Sequence, residues 1–162
     1  MQILAYNRVV RDRRGRSAAA LLAEIRRVMD LEPAGRPEPE APLSFGVYTA
    51  GRWWRARVRS GSFDARDPVA SLDCSICQDQ VLAPIFGVQD PRRDREVDFV
   101  GGIRGAAELE RRVDQGGWSM AFHLFPTRID QVMAVSDAGL AMPPKSTWFE
   151  PKLRSGLFLH PF

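Results

Sequence analysis

Helix-like and strand-like stretches interleave along 162 residues without an internal repeat, which predicts an α+β (mixed α/β) fold. The expected architecture is a mixed sheet with helices packed against it, including one β-hairpin. Three patterns carry this prediction. Apolar residues recur at three- and four-residue steps over 18–29, two short runs alternate strictly around a glycine turn near residue 51, and a strand runs through glycines into a helix between 97 and 113. The chain reads as a single domain over 1–162.

Residues 2 to 10, with Ile3, Tyr6, Val9 and Val10, predict an opening strand that ends in the charged turn Arg11 to Gly15. Ser17 then caps a helix whose apolar stripe is Leu21, Leu22, Ile25, Val28 and Met29, with Glu24, Arg26 and Arg27 pointing away. The Pro-rich segment 31–42, holding Pro33, Pro37, Pro39 and Pro42, predicts an extended, unpaired internal loop. Leu43, Phe45 and Val47, then Trp54, Ala56 and Val58, predict the hairpin, with Arg55, Arg57 and Arg59 on its other face. That basic face is either the solvated side of the hairpin or, beside Trp53 and Trp54, a surface for single-stranded nucleic acid.

Ile76, Val81, Leu82, Ile85 and Phe86 predict a helix over 75–86 with Pro84 near its final turn. A strand at Val97–Val100 leads through Gly101, Gly102 and Gly105 into a helix over 106–113 that Gly116 and Gly117 close. Trp118, Met120, Phe122 and Leu124 alternate as a further strand. Thr127 is the expected cap of a helix carrying Ile129, Val132 and Met133, and Leu157–Leu159 the last strand.

Composition narrows the function classes. With 44% hydrophobic and 27% charged residues, a core of ordinary size is expected, and no apolar run approaches a membrane span. The start lacks an export signal, so a cytoplasmic protein is the expectation. A net charge of +3 is too balanced for the whole molecule to be a polyanion binder. Arginine supplies 21 of the 23 cations; Lys145 and Lys152 are the exceptions, and both fall in one loop. Cys74 and Cys77 have redox-motif spacing, yet without a second pair or a preceding thioredoxin-like strand they read as buried apolar residues.

Two segments carry candidate chemistry. The strand, glycine turn and helix at 97–114 bring free amides and a positive helix end to one point, where Arg104 would grip an anion; a purely steric βα turn is the alternative. The run 142–156 holds both lysines, the hydroxyls of Ser146 and Thr147, Glu150 and three prolines. There Lys145, Ser146 and Thr147 would offer an ammonium and two hydroxyls to a phosphate beside an apolar wall of Trp148 and Phe149. The alternative is a proline-stiffened loop docked by its aromatics. His123 and His160 have no partner at ligand spacing and read as structural, although His123 would be able to face a shared pocket.

The runs Phe99–Gly105, Ala134–Gly139 and Met142–Gly156 resemble the C-terminal part of the domain of unknown function 1015 family, and Tyr6–Val10 resembles a segment near the middle of those proteins. The resemblance extends over essentially the whole chain. Full members are more than twice this length, and their upstream part carries an Asp-Gly-His-His-Arg stretch similar to the ParB and sulfiredoxin-like fold of free-serine kinases. This chain has no adjacent histidines, so the resemblance implies a C-terminal half that is inactive alone. It implies phosphoryl transfer involving serine, phosphoserine or a nucleotide, with ATP or ADP and magnesium as cofactors and a small phosphorylated ligand as partner. Arg104, Lys145, Ser146, Thr147 and Lys152 would hold phosphate oxygens, and Asp90, Asp94, Asp98 and Glu150 would be acids, bases or magnesium ligands. The missing N-terminal half, or a second copy of the chain, would be a protein partner. The competing function class is a non-catalytic packing or dimerisation module; binding of single-stranded nucleic acid is a third.

Overall fold

The computed structural model describes residues 2–151. Lys152, the strand expected at 157–159 and His160 lie outside the described residues. The α+β class with helices on a sheet and one hairpin is observed. The opening stretch divides at Ala5 into β1 (Gln2–Leu4) and β2 (Tyr6–Val10). After α1 (Ala18–Val28) come β3 (Met29–Pro33), β4 (Ser44–Thr49) and β5 (Arg52–Val58). A helical segment follows as α2 (Asp73–Cys77), a π turn (Gln78–Leu82) and α3 (Ala83–Phe86). Then come β6 (Val97–Gly101), a 3-10 turn (Gly102–Arg104), α4 (Gly105–Gln115), β7 (Met120–His123), α5 (Ile129–Asp137) and β8 (Trp148–Glu150).

Among the described residues six strands form the main sheet in the order β3-β5-β4-β7-β2-β6, and β1 pairs with β8 in a small second sheet. Every ladder is antiparallel. Strand alternation gives the main sheet two buried faces. Val10, Phe45, Val47, Ala56 and Phe122 pack beneath α1 and the 73–86 segment, while Val9, Tyr48, Val100 and Ala121 meet Leu109 of α4 on the other side.

Local chemistry explains several elements. The Ser17 hydroxyl accepts the Ala20 amide, as its position at the helix start requires. Ala50 and Gly51 both have positive φ, the conformation that matches a two-residue turn to strand twist. Pro84 cannot donate to the carbonyl four residues back, and the π turn immediately before α3 absorbs that break.

Other details depart from expectation. Met29–Pro33 leaves α1 directly as a strand on the sheet edge, so the extended loop starts after it. That loop is not left unpaired: Arg55, buried in the sheet, donates to the carbonyls of Arg36 (3.1 Å) and Glu38 (2.6 Å). Arg57 pairs with Glu32, and Arg59 pairs with Asp30 at 3.0 Å. The hairpin's basic face is therefore already engaged, which leaves little for a nucleic acid strand. Thr127 is not the cap of α5; its hydroxyl donates to the Ser146 carbonyl at 2.8 Å, and Arg128 takes the cap position with its amide bound to Gln131 Oε1. Among the described residues no helix is long and apolar enough to cross a membrane.

Candidate functional site

Arg8 lies in the middle of β2, on the sheet face it shares with Val10 and the 73–86 segment. It is only 4% exposed. Its guanidinium donates to the carbonyls of Tyr6 and, at 3.1 Å, Lys145, and stands over the Phe99 ring at 5.3 Å. No carboxylate forms an ion pair with it among the described residues. A buried cation without a counter-charge is costly, and a guanidinium with three further N–H groups is suited to a bidentate anion.

Arg8 and Phe99 line a cavity of about 390 Å³ that also touches Ser75, Pro143 and Pro144. Asp67 and Asp79 stand at the same cavity. Asp67 Oδ1 is taken up by the amides of Val69 (2.8 Å) and Ala70 (3.0 Å), whereas Asp79 is exposed. The arrangement offers one buried cation for an anionic group and carboxylate oxygens for a cationic one, with the Phe99 ring between aliphatic walls.

The terminal loop reaches this site through its backbone. Lys145 adopts a left-handed conformation (φ 56°), which turns its carbonyl to Arg8 and places its ammonium 5.5 Å from the Tyr6 ring centroid. Tyr6 in turn meets Phe99 and Trp148 edge-on. Ser146 is buried, and Thr147 half-buried. Gly101 is required where Trp148 crosses it, because a Cβ there would lie 2.7 Å from the indole.

The remaining candidates are dispersed. Arg104 is largely exposed and lies 3.8 Å from Glu108 of α4, the helix it precedes, away from the cavity lining. Asp90 binds the Arg92 amide and flanks Arg92 and Arg93; Asp94 pairs with Arg13 at 2.5 Å; Asp98 pairs with Arg112; and Glu150 accepts the Trp148 indole N–H at 3.1 Å. The four do not come together, and among the described residues no group of three acidic, histidine or cysteine side chains is placed to hold a metal. These carboxylates do not fit a magnesium centre.

Arg8 escaped the sequence reading because it is one arginine among 21. The available signal was its strand register: Arg8 shares a side with Val10, a side that must face the core. Cys74 and Cys77 are buried free thiols beside Arg8, and burial pushes both upward, Cys77 to about 12. That is an unreactive pair, as their apolar reading anticipated.

Comparison with known proteins adds three findings. The model of a family described as protein of unknown function (DUF1015) matches residues 1–75. This first part is similar to that family, while the glycine turn and terminal loop lie beyond the match. No curated protein matches the chain. Solved structures do: a free serine kinase mutant in complex with AMP (TM-score 0.53, 9% identity, covering 91% of this chain and 53% of that chain), a conserved hypothetical protein from Pyrococcus furiosus (0.51, 12%, 91% and 55%), and a free serine kinase mutant with ADP (0.50, 10%, 91% and 53%). At such identities the likeness is one of fold. The chain spans about half the length of these structures.

Proposed function

We propose that this chain is the phosphate-holding portion of a phosphoryl-transfer enzyme that handles serine or phosphoserine together with ADP or ATP. The observation that carries the reading is Arg8, a buried guanidinium on the wall of a cavity, without an ion-pair partner among the described residues. Its free N–H groups would bind phosphate oxygens, and Asp79 at the same cavity would hold an ammonium, a pairing that suits phosphoserine better than bare phosphate. Lys145 stands one residue contact away and would stabilise charge that develops on the transferring group. The AMP and ADP complexes of the fold relatives support a nucleotide as second ligand. Magnesium would then arrive on the nucleotide phosphates, since among the described residues no carboxylate cluster is built for it. A partner segment, corresponding to the part of those relatives that this chain does not span, would supply the acid–base group, leaving the isolated chain able to bind but not to turn over.

Thermal denaturation of the chain with phosphoserine, serine, ADP or ATP tests this. Phosphoserine at about a hundred times its Kd would raise the Tm by roughly 5–10 °C. Lys145→Ala would reduce the rise, and Arg104→Ala would serve as the measure of any contribution from the glycine turn. Unchanged melting with every phosphorylated ligand, in this chain and in one joined to a partner half, would overturn the reading. A second reading, a packing or dimerisation module, draws on the exposed Ile129 and Met133 of α5, one turn apart, and predicts a concentration-dependent oligomer.

A further inference from the structure

The formal net charge of +3 is not spread evenly over the chain. Residues 11–16 and 89–96 hold seven of its 23 basic and four of its 20 acidic side chains, so these two turns carry the whole excess and the remainder is balanced. The fold brings the two turns together beside one end of β2 and β6. The Arg11 amide donates to the Glu96 carbonyl at 2.8 Å, and the Arg13 guanidinium donates to Asp94 Oδ1 at 2.5 Å and lies 3.6 Å from Glu96. Residues of both turns line a cleft of about 580 Å³, with Arg13, Arg93 and Arg95 on its wall.

The two signs of charge are sorted by depth. At this cleft the side chains of Asp94 and Glu96 are 12% and 22% exposed, against 55% for Arg13 and 90% for Arg93. Asp94 also accepts the Glu96 amide at 2.9 Å, and Asp90, the third acid of the lining, accepts the Arg92 amide at 3.0 Å. The carboxylates therefore spend acceptor capacity on the turns themselves, while the guanidinium N–H groups face water. Arg14 and Arg95 are exposed and form no ion pair among the described residues. Exposed ion pairs contribute little, so the paired arginines stay open to a more highly charged anion.

Shape and lining define the anion. Three guanidiniums on one wall exceed what a single phosphate engages, and each planar fork matches a pair of phosphate oxygens. A peptide carries its carboxylates on separate flexible side chains, whereas a phosphate chain holds charge on every unit. Gly87 and Gln89 are the uncharged residues of the lining, so the cleft offers no apolar wall to a nucleobase. We propose that this cleft binds a linear oligophosphate of at least three units through Arg13, Arg93 and Arg95, with Arg14, next along the turn, adding charge at its edge. The cleft shares no lining residue with the Arg8 cavity, and the proposal stands whether or not that cavity takes phosphoserine.

Calorimetric titration of the full chain in magnesium-free buffer with inorganic tripolyphosphate, orthophosphate and ATP tests the assignment. Tripolyphosphate should bind saturably with a Kd below ~1 mM, and orthophosphate at least about tenfold more weakly. The triple variant Arg14→Gln/Arg93→Gln/Arg95→Gln changes exposed side chains and leaves Arg13 on its carboxylates; it should weaken tripolyphosphate by at least about tenfold. Arg52→Gln/Arg66→Gln/Arg111→Gln removes the same charge elsewhere and should change affinity by less than about twofold. ATP that weakens in the first variant identifies a nucleotide tail as the source of the chain, and ATP indifferent to it, beside tripolyphosphate that responds, identifies the inorganic chain. The proposal is overturned by absence of saturation with tripolyphosphate up to ~1 mM, or by a first variant that binds it no more weakly than the second, the mark of diffuse charge attraction. A DNA duplex of about 20 base pairs that displaces tripolyphosphate at a lower phosphate concentration would overturn it too, in favour of a nucleic-acid surface.

Discussion

The guanidinium of Arg8 donates to the carbonyl of Lys145 at 3.1 Å across 137 residues of sequence, so the second strand holds the left-handed turn of the terminal loop in place. A charge-assisted bond in a buried setting is worth roughly 1.5–3 kcal/mol. Arg8→Met should therefore speed hydrogen exchange at the Ser146 and Thr147 amides by at least about tenfold, while amides of α1 stay unchanged. Equal exchange in both proteins would show that the loop is held by its aromatics alone.

Asp73 sets a pH dependence. Burial pushes its carboxyl up to about 6, outweighing the amide of Leu43 that it accepts at 2.7 Å. Between about pH 4 and 6 the folded chain holds a proton that the unfolded chain has released, so stability falls as pH rises through this window and levels off above it. Asp73→Asn keeps an acceptor for Leu43 and removes the buried charge. It should leave stability unchanged at pH 4 and raise it by up to ~3 kcal/mol at pH 8, read from denaturant midpoints at each pH. A loss of stability at pH 8 would contradict this account of the site.

Gly46 marks the contact between β4 and the Pro-rich loop. A Cβ there would lie 2.1 Å from the Pro37 carbonyl oxygen and 3.2 Å from His123 Cβ, so the loop must move. Gly46→Ala should cost roughly 1–3 kcal/mol and loosen the Arg55 bonds to the loop carbonyls, seen as faster proteolysis at 36–40. A variant as stable as the parent would mean that the loop shifts freely.

Cys74 and Cys77 should resist a thiol reagent at pH 8 while the chain is folded, and react together once it unfolds, because burial disfavours both thiolates. Fast labelling of either in the native state would contradict their placement.

The parts of the fold legible in the sequence are those in which local chemistry and tertiary packing agree. Ser17 caps α1 because its side chain needs only the next turn, and Ala50–Gly51 close the hairpin by their own backbone conformation. Elsewhere long-range partners decide. Arg55, with the pattern of a solvated strand residue, is buried because the carbonyls of residues 36 and 38 come to it. Thr127 gives up helix capping to hold Ser146. The terminal loop was legible as a place of interest through Lys145, Pro143 and Pro144, yet the cation at its centre comes from β2, and only strand pairing brings them together.

The most direct test of the central claim is calorimetric titration of phosphoserine into the parent chain and into Arg8→Met. The account predicts saturable binding to the parent, weaker binding of serine, and loss of at least about tenfold in affinity, or roughly 1.4 kcal/mol, in Arg8→Met. Equal affinity of both proteins for phosphoserine, or no binding to either, would contradict it.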